Sequence, residues 1–218
     1  MKPSKQFYEE VPPEYYESLP KLGFNPVRRW FHKKRYEILN ALVKENYQEG
    51  QTIIDMGCGS CTWNQSKLPV MGIDINKPML ELAKQKGNLK EYIHTSLEHT
   101  TLAENIADII ILSEIIEHVE NPKEVLEEAA RIAKPNAKII ISVPYDHPIS
   151  LWYPLFNAQC LVYGYLLNKP FYKDFGGHIH HFTPKKIKHT IEEAKLKVMK
   201  QFHNKRFTIY NVCIKNEA

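Results

Sequence analysis

Short apolar runs alternate with amphipathic stretches through the middle of the chain. Five of these runs are too short for helices and rich in β-branched residues, so we predict strands at 52–55, 70–74, 91–94, 107–112 and 137–143. Elsewhere apolar residues recur at helical spacing, which predicts helices at 77–85, 121–133 and 183–194. Because the strands are almost wholly apolar, we expect a mostly parallel sheet with helices on both of its faces.

The two ends of the chain follow other patterns. Residues 1–25 carry four prolines among aromatic and acidic residues, so this N-terminal arm is predicted to be extended or irregular. An amphipathic helix is predicted from Pro26. Two strand-like runs, 196–203 and 206–214, are close enough along the chain to form a hairpin. We predict that 26–218 is a single domain.

The helix predicted at 121–133 has a marked start signal. Asn121 stands at the N-cap position, Pro122 at the first helical position and Glu124 where a capping box would place it. We therefore expect the Asn121 side chain to cap this helix.

Composition and charge limit the class of protein, the compartment and the partners that fit this chain. The chain has 218 residues, is 43% hydrophobic and 25% charged, and shows no secretory signal, as expected of an ordinary globular domain. Its four cysteines form no disulfide framework, which favours the cytoplasm, and the pair Cys58 and Cys61 lacks the partner ligands of a zinc site. Basic residues cluster at 28–35 and 185–215. They are either solvated faces or contacts to a phosphate-bearing substrate, an acidic lipid surface or RNA.

A glycine-containing turn follows the first predicted strand. Asp55 ends that strand, Gly57 and Gly59 open the turn, and Asp74 ends the second strand, where sheets of this kind bind ligands. A carboxylate at the second strand suits the hydroxyls of a ribose. The dinucleotide pattern fails because Thr62 replaces its third glycine, and Asp55 would repel a pyrophosphate but attract a cation. S-adenosylmethionine, with an ammonium and a sulfonium, fits this turn.

At these residues the chain resembles the class I S-adenosylmethionine-dependent methyltransferases from residue 25 onward. The segments that carry the resemblance are IIDMGCGSC, GIDINKPML and SEIIEHVENPKEVLEEAARIAKPNAKIIISVP. The segments FNPVRRW, SEIIEHV and HHFTP are further similar to the ubiquinone-biosynthesis O-methyltransferases. The resemblance implies a Rossmann-like, seven-stranded, mostly parallel sheet with an antiparallel last strand, helices on both faces and a helical insertion after the fifth strand.

The resemblance also implies cofactor contacts. It places Asp55 near the methionine amino group and Asp74, with Ile75 beside it, on the ribose. Gly57 and Gly59 form the turn that approaches the cofactor. The remaining implied contacts are Ser96 and Leu97 at the adenine, Ser113 at the methionine end, and Arg28 at the cofactor carboxylate.

A hydroxyl acceptor would need its proton removed by a histidine, a carboxylate or a metal ion. Glu114, Glu117 and His118 are spaced i, i+3 and i+4, so a helix would turn all three to one side. Three interpretations remain open: a divalent metal site, His118 as a base without metal, or a purely structural helix start. We assign no metal ligand, and a divalent metal is the less favoured cofactor.

A histidine-rich run and a polar residue after the fifth strand add further candidates. Asp146 follows that strand, where an acceptor would lie. Extended backbone over 176–182 would put His178 and His180 on one face and His181 on the other. The run is interpreted as a pocket wall, a set of loop histidines or, least favoured, a metal cluster. We take Asp146, His178 and His181 as catalytic candidates.

The stretch 151–167 is almost wholly apolar and lies in a predicted insertion, 145–182. Pro154 and Gly164 interrupt it, and its length is marginal for a bilayer span. It is predicted to form a lid over the acceptor site or to contact a membrane surface.

These observations together predict a methyltransferase that acts on a hydroxyl of a hydrophobic small molecule or a lipid-linked acceptor. We expect it in the cytoplasm, with an anionic membrane surface as a further partner. One alternative is a non-catalytic S-adenosylmethionine-binding module that engages a partner through its basic faces. The other is an RNA methyltransferase, which is disfavoured because no recognition domain accompanies the basic residues. The sequence does not predict the oligomeric state.

Overall fold

The computed structural model describes residues 5–18, 26–147, 150, 152–168, 173 and 178–215. Its centre is a seven-stranded sheet with the order β3-β2-β1-β4-β5-β7-β6. The strands are β1 (Ile53–Met56), β2 (Val70–Asp74), β3 (Glu91–His94), β4 (Ala107–Ser113), β5 (Ala133–Pro144), β6 (Leu196–Asn204) and β7 (Thr208–Lys215). The strands β1 to β5 pair in parallel, whereas β7 is antiparallel to both of its neighbours. The predicted fold class is confirmed.

Helices flank the sheet and precede it in the chain. They are α1 (Lys5–Glu10), α2 (Tyr15–Ser18), α3 (Pro26–Asn46), α4 (Lys77–Gln85), α5 (Pro122–Ile132), α6 (Trp152–Cys160) and α7 (Pro184–Glu193). A wider, π-helical stretch, Leu161–Leu166, continues α6. The helical part of the insertion therefore follows β5, as expected.

Each face of the sheet has its own apolar core because successive strand residues point to opposite sides. Ile54 and Met56 of β1 pack on the side of α5 and α7, together with Val125 and Ile191. Ile53 lies on the other side, in the core that contains residues of α3 and α4. Burial of both faces explains why the central strands are continuous apolar runs rather than alternating ones.

Three local expectations fail. The N-terminal arm is not extended in its described part, since α1 and α2 form there. Asn121 precedes α5 as predicted, but its side chain makes no capping hydrogen bond; its backbone has φ −121° and ψ 89°. Strand β5 begins at Ala133, before the predicted 137, although its regular pairing with β4 runs from Lys138 after a register shift.

Candidate functional site

The glycine turn after β1 has a backbone that side chains would obstruct. Gly57 has φ +78° and Gly59 has φ +49°. A Cβ on Gly57 would lie 2.5 Å from Cγ1 of Ile115, so the turn tolerates only glycine there without rearrangement. The Gly57 N–H donates to the Ile73 carbonyl oxygen over 2.7 Å, which ties the turn to β2. The two glycines thus let Ile115 and Tyr16 pack closely against the turn, and the approach of a ligand to this backbone stays a prediction.

Asp74 joins the glycine turn to the end of β2. One of its carboxylate oxygens accepts from the Gly59 N–H over 2.7 Å, and the other accepts from the Asn76 N–H over 2.8 Å. Burial raises the pKa of Asp74, while these backbone donors lower it. Each carboxylate oxygen has a second lone pair, so Asp74 can also accept from ribose hydroxyls.

Asp55 is buried beneath the same turn. Its carboxylate accepts from the indole Nε1 of Trp63 over 2.7 Å, and the Cys61 thiol donates to it over 3.6 Å. Burial raises the pKa of Asp55 to about 7, against the lowering effect of these two donors. The carboxylate is therefore partly protonated near neutral pH, and its contact with a cofactor amino group stays a prediction.

The other predicted cofactor residues are distributed around the same edge of the sheet. The Ile75 carbonyl oxygen accepts from His94 Nε2 over 2.9 Å, and Ser96 follows β3 in a half-buried loop position. Leu97 is buried in the α5 and α7 core. Ser113 ends β4, where its hydroxyl shares a 3.0 Å hydrogen bond with Ser142. The side chain of Arg28 lies outside the described residues.

The six predicted catalytic residues come together beyond β4 and β5. The His118 and His178 rings are 5.0 Å apart, and His178 Nδ1 lies 4.0 Å from a carboxylate oxygen of Asp146. The members of this group, which we call the histidine–carboxylate cluster, are Glu114, Glu117, His118, Asp146, His178 and His181. The cluster is assembled from three segments of the chain: the turns after β4, the residues that follow β5 and the histidine-rich run before α7.

The local geometry of Glu114, Glu117 and His118 differs from the helix expected. Residues 114–120 form turns, and α5 begins only at Pro122. Glu114 has φ +54°, a strained conformation for this residue, and its carboxylate pairs with Arg35 over 3.3 Å. Glu117 instead lies 3.8 Å from His118 Nε2. Because the turn separates Glu114 from the other two, the three side chains do not share one helical face.

The histidine-rich run also departs from extended geometry. The N–H groups of Ile179 and His180 both donate to the carbonyl oxygen of Glu117, which bends the chain there. His181 therefore lies beside His178, with Nδ1 at 3.3 Å from Asp146, whereas His180 contacts the Glu120 carbonyl oxygen. The expected pairing of His178 with His180 on one face was wrong.

Burial dominates the electrostatics of the cluster. It raises the pKa of Glu117 well above its ordinary value, and the neighbouring Glu114 charge adds to this effect. Burial also raises the pKa of Glu114, while Arg35 opposes the shift. The pKa of His178 is lowered well below its usual value by burial and by His118 and His181. Neutral His178 is therefore the favoured form at neutral pH.

Two overlapping sets of side chains could hold a metal ion. One is Glu117, His118 and His178, and the other is Asp146, His178 and His181; within each set the ligand atoms lie within 4.8 Å of one another. Imidazole and carboxylate ligands suit zinc, manganese or iron better than calcium. Neither oxygen of Glu117 has a hydrogen-bond partner among the described residues, so both keep the capacity to accept one.

Sequence reasoning missed several residues that border this region. Tyr8 shares a 2.9 Å hydrogen bond with His118 Nδ1, and Tyr16 packs against the glycine turn. Arg35, which belongs to the basic cluster 28–35 of the sequence, is half-buried, and its guanidinium lies over the Tyr36 ring. The N-terminal arm gave no periodic signal, so nothing in the sequence located Tyr8. Asn76 binds the arm and caps α4, and its place two residues before Pro78 at the start of a helical pattern was a usable capping signal.

The insertion after β5 contributes one wall of the cluster. Phe156 of α6 stacks on His178, with ring centroids 5.3 Å apart. Other large apolar side chains of this insertion are exposed to solvent: Tyr153, Leu155, Leu161, Val162, Tyr163, Tyr165, Leu166 and Leu167. In the described part of the chain, every helix is too short or too polar to span a bilayer.

Part of the chain is similar in sequence to known methyltransferases. Residues 54–141 match a family model described as "Methyltransferase domain". The ubiquinone biosynthesis O-methyltransferase of Hahella chejuensis is 29% identical over 119 residues, which cover 50% of this chain and 50% of that protein. The chain thus matches about half the length of such curated relatives.

Solved structures share the fold over nearly the whole chain. A chain of the complex between the Haloferax volcanii Trm112 methyltransferase activator and a methyltransferase superposes with a TM-score of 0.71 at 15% identity, covering 99% of both chains. Magnesium protoporphyrin IX methyltransferase of Synechocystis PCC 6803, solved with bound S-adenosylhomocysteine, gives a TM-score of 0.68 at 15% identity and covers 97% of this chain and 98% of that one. Residues 54–141 therefore match a methyltransferase domain, and the strand order and fold of the whole chain are similar to those of solved methyltransferases.

Proposed function

We propose that this protein transfers the methyl group of S-adenosylmethionine to a hydroxyl of a hydrophobic small molecule or a lipid-linked acceptor. The observation that carries the proposal is the histidine–carboxylate cluster beyond β4, next to the strand end that bears Ser113. The cofactor supplies a methyl group on a sulfonium that is already a good leaving group. The protein must therefore orient the acceptor and remove its proton. The similarity to an enzyme named as an O-methyltransferase supports the same reaction.

The cofactor would lie across the ends of β1, β2 and β4. Asp74 would accept from the ribose hydroxyls and Asp55 would attract the amino group, with the glycine turn between them. Ser96 and Leu97 would border the adenine. Arg28 would bind the carboxylate of the methionine part.

Within the cluster, His118 is the proposed base. It would take the acceptor's hydroxyl proton as the oxygen–carbon bond forms and the carbon–sulfur bond breaks. The products are the methylated acceptor and S-adenosylhomocysteine, with the proton on the imidazole. Asp146 would orient His181, to which it lies within 3.3 Å, and neutral His178 would border the acceptor.

A hydrophobic acceptor fits the walls of this region. Phe156 stacks on His178 from the insertion, and Tyr8 covers His118 from the N-terminal arm. Aromatic rings on two sides favour an apolar or aromatic acceptor over a strongly polar one. The insertion would serve as a lid whose inner side contacts the acceptor.

The outer side of the insertion is proposed to contact a membrane surface. Residues 153–167 contain no charged side chain, and three of their exposed side chains are tyrosines, a residue enriched at membrane–water interfaces. A lipid-linked acceptor could then enter directly from the membrane. All four cysteines are free and buried, which supports a cytoplasmic setting for such a peripheral contact.

The reaction can be tested with methyl-labelled S-adenosylmethionine and a lipid extract. We expect a product that gains one labelled methyl group, detected by mass spectrometry, together with S-adenosylhomocysteine. The variant His118→Gln should lose at least about 100-fold in turnover, as for removal of a general base. The matched control is His189→Gln on α7, where the histidine side chain is 73% exposed. If no extract yields a methylated product, the non-catalytic binding module is the better interpretation.

A chelator separates the metal interpretation from the base interpretation. Without a metal at the cluster, turnover should persist in excess chelator because His118 alone accepts the proton. Loss of turnover that a single divalent ion restores would instead assign Glu117, His118 and His178 as metal ligands.

A further inference from the structure

The N-terminal arm crosses the edge of the sheet where the cofactor contacts lie. At the β2 side, Nδ2 of Asn76 donates to the carbonyl oxygens of Tyr8 and Val11 over 2.8 Å and 2.9 Å. In the middle, the Tyr16 ring covers the glycine turn, 3.1 Å from where a Cβ on Gly59 would be. On the β4 side, the Tyr8 hydroxyl reaches His118. Since β1 lies between β2 and β4, the arm spans all three strand ends.

Tyr8 and His118 are joined by a hydrogen bond between the phenol oxygen and one ring nitrogen. The hydroxyl oxygen lies 2.9 Å from Nδ1, and the two rings are tilted by 53° with centroids 5.3 Å apart. A neutral imidazole carries its proton on one nitrogen only, and the partner of one nitrogen decides the protonation of the other. The direction of the hydrogen bond at Nδ1 therefore controls whether Nε2 has a lone pair available for a substrate proton.

We propose that Tyr8 is a positioning residue for His118. Its oxygen accepts from Nδ1–H, so Nε2 keeps the lone pair that takes the acceptor's proton. This inference rests on the proposed function of the histidine–carboxylate cluster. When the proton moves to Nε2, Nδ1–H continues to donate to Tyr8, and the phenol itself neither gains nor loses a proton.

Two features of the surroundings support this assignment. Burial and the nearby Glu117 raise the pKa of Tyr8 above its ordinary value, so it remains a neutral phenol. Glu117 lies 3.8 Å from Nε2, a distance longer than a hydrogen bond, and its own raised pKa favours the neutral acid. Glu117 therefore does not stabilise the other tautomer, in which Nε2 carries the proton and donates it in a hydrogen bond.

The arm links this arrangement to the cofactor cleft. The segment that carries Tyr8 is held by Asn76, and the arm that continues from it lies over the glycine turn. The variant Asn76→Asp retains the oxygen that caps α4 through Met79 N–H but removes both donors to the arm. It should therefore weaken the Tyr8–His118 contact without altering either residue.

The direct test is the tautomer of His118, read from histidine ring ¹⁵N NMR at pH 8 with and without S-adenosylhomocysteine. The wild-type protein should show His118 protonated at Nδ1. Tyr8→Phe, and to a smaller degree Asn76→Asp, should shift His118 toward protonation at Nε2. The matched control is Tyr92→Phe on β3, which lies beneath Lys84 and should leave His118 unchanged. An Nε2-protonated wild type, or the same tautomer in Tyr8→Phe, overturns the proposal.

A kinetic measurement complements the NMR measurement once an acceptor is identified. Tyr8→Phe should lower kcat at least about tenfold while KM for S-adenosylmethionine changes less than about twofold, because the base and not cofactor affinity is affected. Wild-type kcat in Tyr8→Phe overturns the positioning role. The tautomer measurement does not depend on activity, so an inactive wild-type protein with Nδ1-protonated His118 would refute the proposed function alone.

Discussion

We predict that the buried carboxylate of Asp55 makes cofactor affinity depend on pH. Its side chain is 1% exposed, and burial raises its pKa to about 7, although Trp63 and Cys61 donate to it. In the unfolded chain the same group loses its proton near pH 4. The folded protein therefore retains a proton on Asp55 up to neutral pH. A cofactor ammonium binds the ionised carboxylate better, so we expect affinity to increase as this proton is lost.

The size of the effect follows from the pKa. With a pKa of about 7, the ionised fraction of Asp55 is about 9% at pH 6 and about 91% at pH 8. If only the ionised form contacts the amino group, affinity increases about tenfold between these two values, which corresponds to about 1.4 kcal/mol. Binding near pH 7 should also release about half a proton for each bound molecule.

The assay is calorimetric titration with S-adenosylhomocysteine at pH 6, 7 and 8. Two buffers with different ionisation enthalpies at each pH give the number of protons released. The control is Asp55→Asn, whose amide oxygen can still accept from Trp63. It retains the ligand's own titration and removes that of Asp55, so the difference isolates this residue. Equal pH dependence in both proteins would refute the assigned role of Asp55.

Three further predictions concern the turn and the core. Asp74→Ala should weaken S-adenosylhomocysteine binding at least about tenfold, or about 1.4 kcal/mol, and unchanged calorimetric binding would mean that this carboxylate does not contact the cofactor. Gly57→Ala should lower the free energy of unfolding by at least about 1 kcal/mol more than Gly50→Ala, because only the former would meet a neighbouring side chain, so equal losses in denaturant titrations would contradict the clash. Glu128 has a pKa lowered to about 2, chiefly by Arg131, so its stabilisation is present above about pH 4.5 and is lost as pH falls toward 2. Glu128→Gln should therefore cost about 1 kcal/mol at pH 7, since solvent screens the partly exposed Arg131, and should flatten acid unfolding. An unchanged acid transition would count against this pair.

The sheet could be predicted from sequence because its strands are buried on both faces. Continuous apolar runs such as 107–112 have few alternative interpretations when helical patterns flank them. The beginning of β5 could not be predicted, since it contains Pro135 and Asn136 and is paired irregularly. The arm also escaped prediction, because α1 and α2 have only six and four residues and depend on tertiary contacts.

Only part of the candidate site could be predicted from the sequence. Residues at strand ends, such as Asp55 and Asp74, are positioned by the sheet itself, so the strand pattern locates them. The geometry within the cluster depends on turns, where Glu114 adopts a left-handed conformation that no periodicity indicates. Tyr8 reaches His118 across 110 positions of the chain, and such a contact requires the folded structure.

The indole of Trp63 lies directly against the carboxylate beneath the glycine turn. Because indole emission responds to nearby charge, we expect the emission of Trp63 to change when a ligand alters the charge of Asp55. Trp30 packs instead on Phe207. The difference in emission between the wild type and Trp63→Phe would therefore give the signal of Trp63. Ligands could then be screened by emission spectra alone, before any methyl acceptor is known.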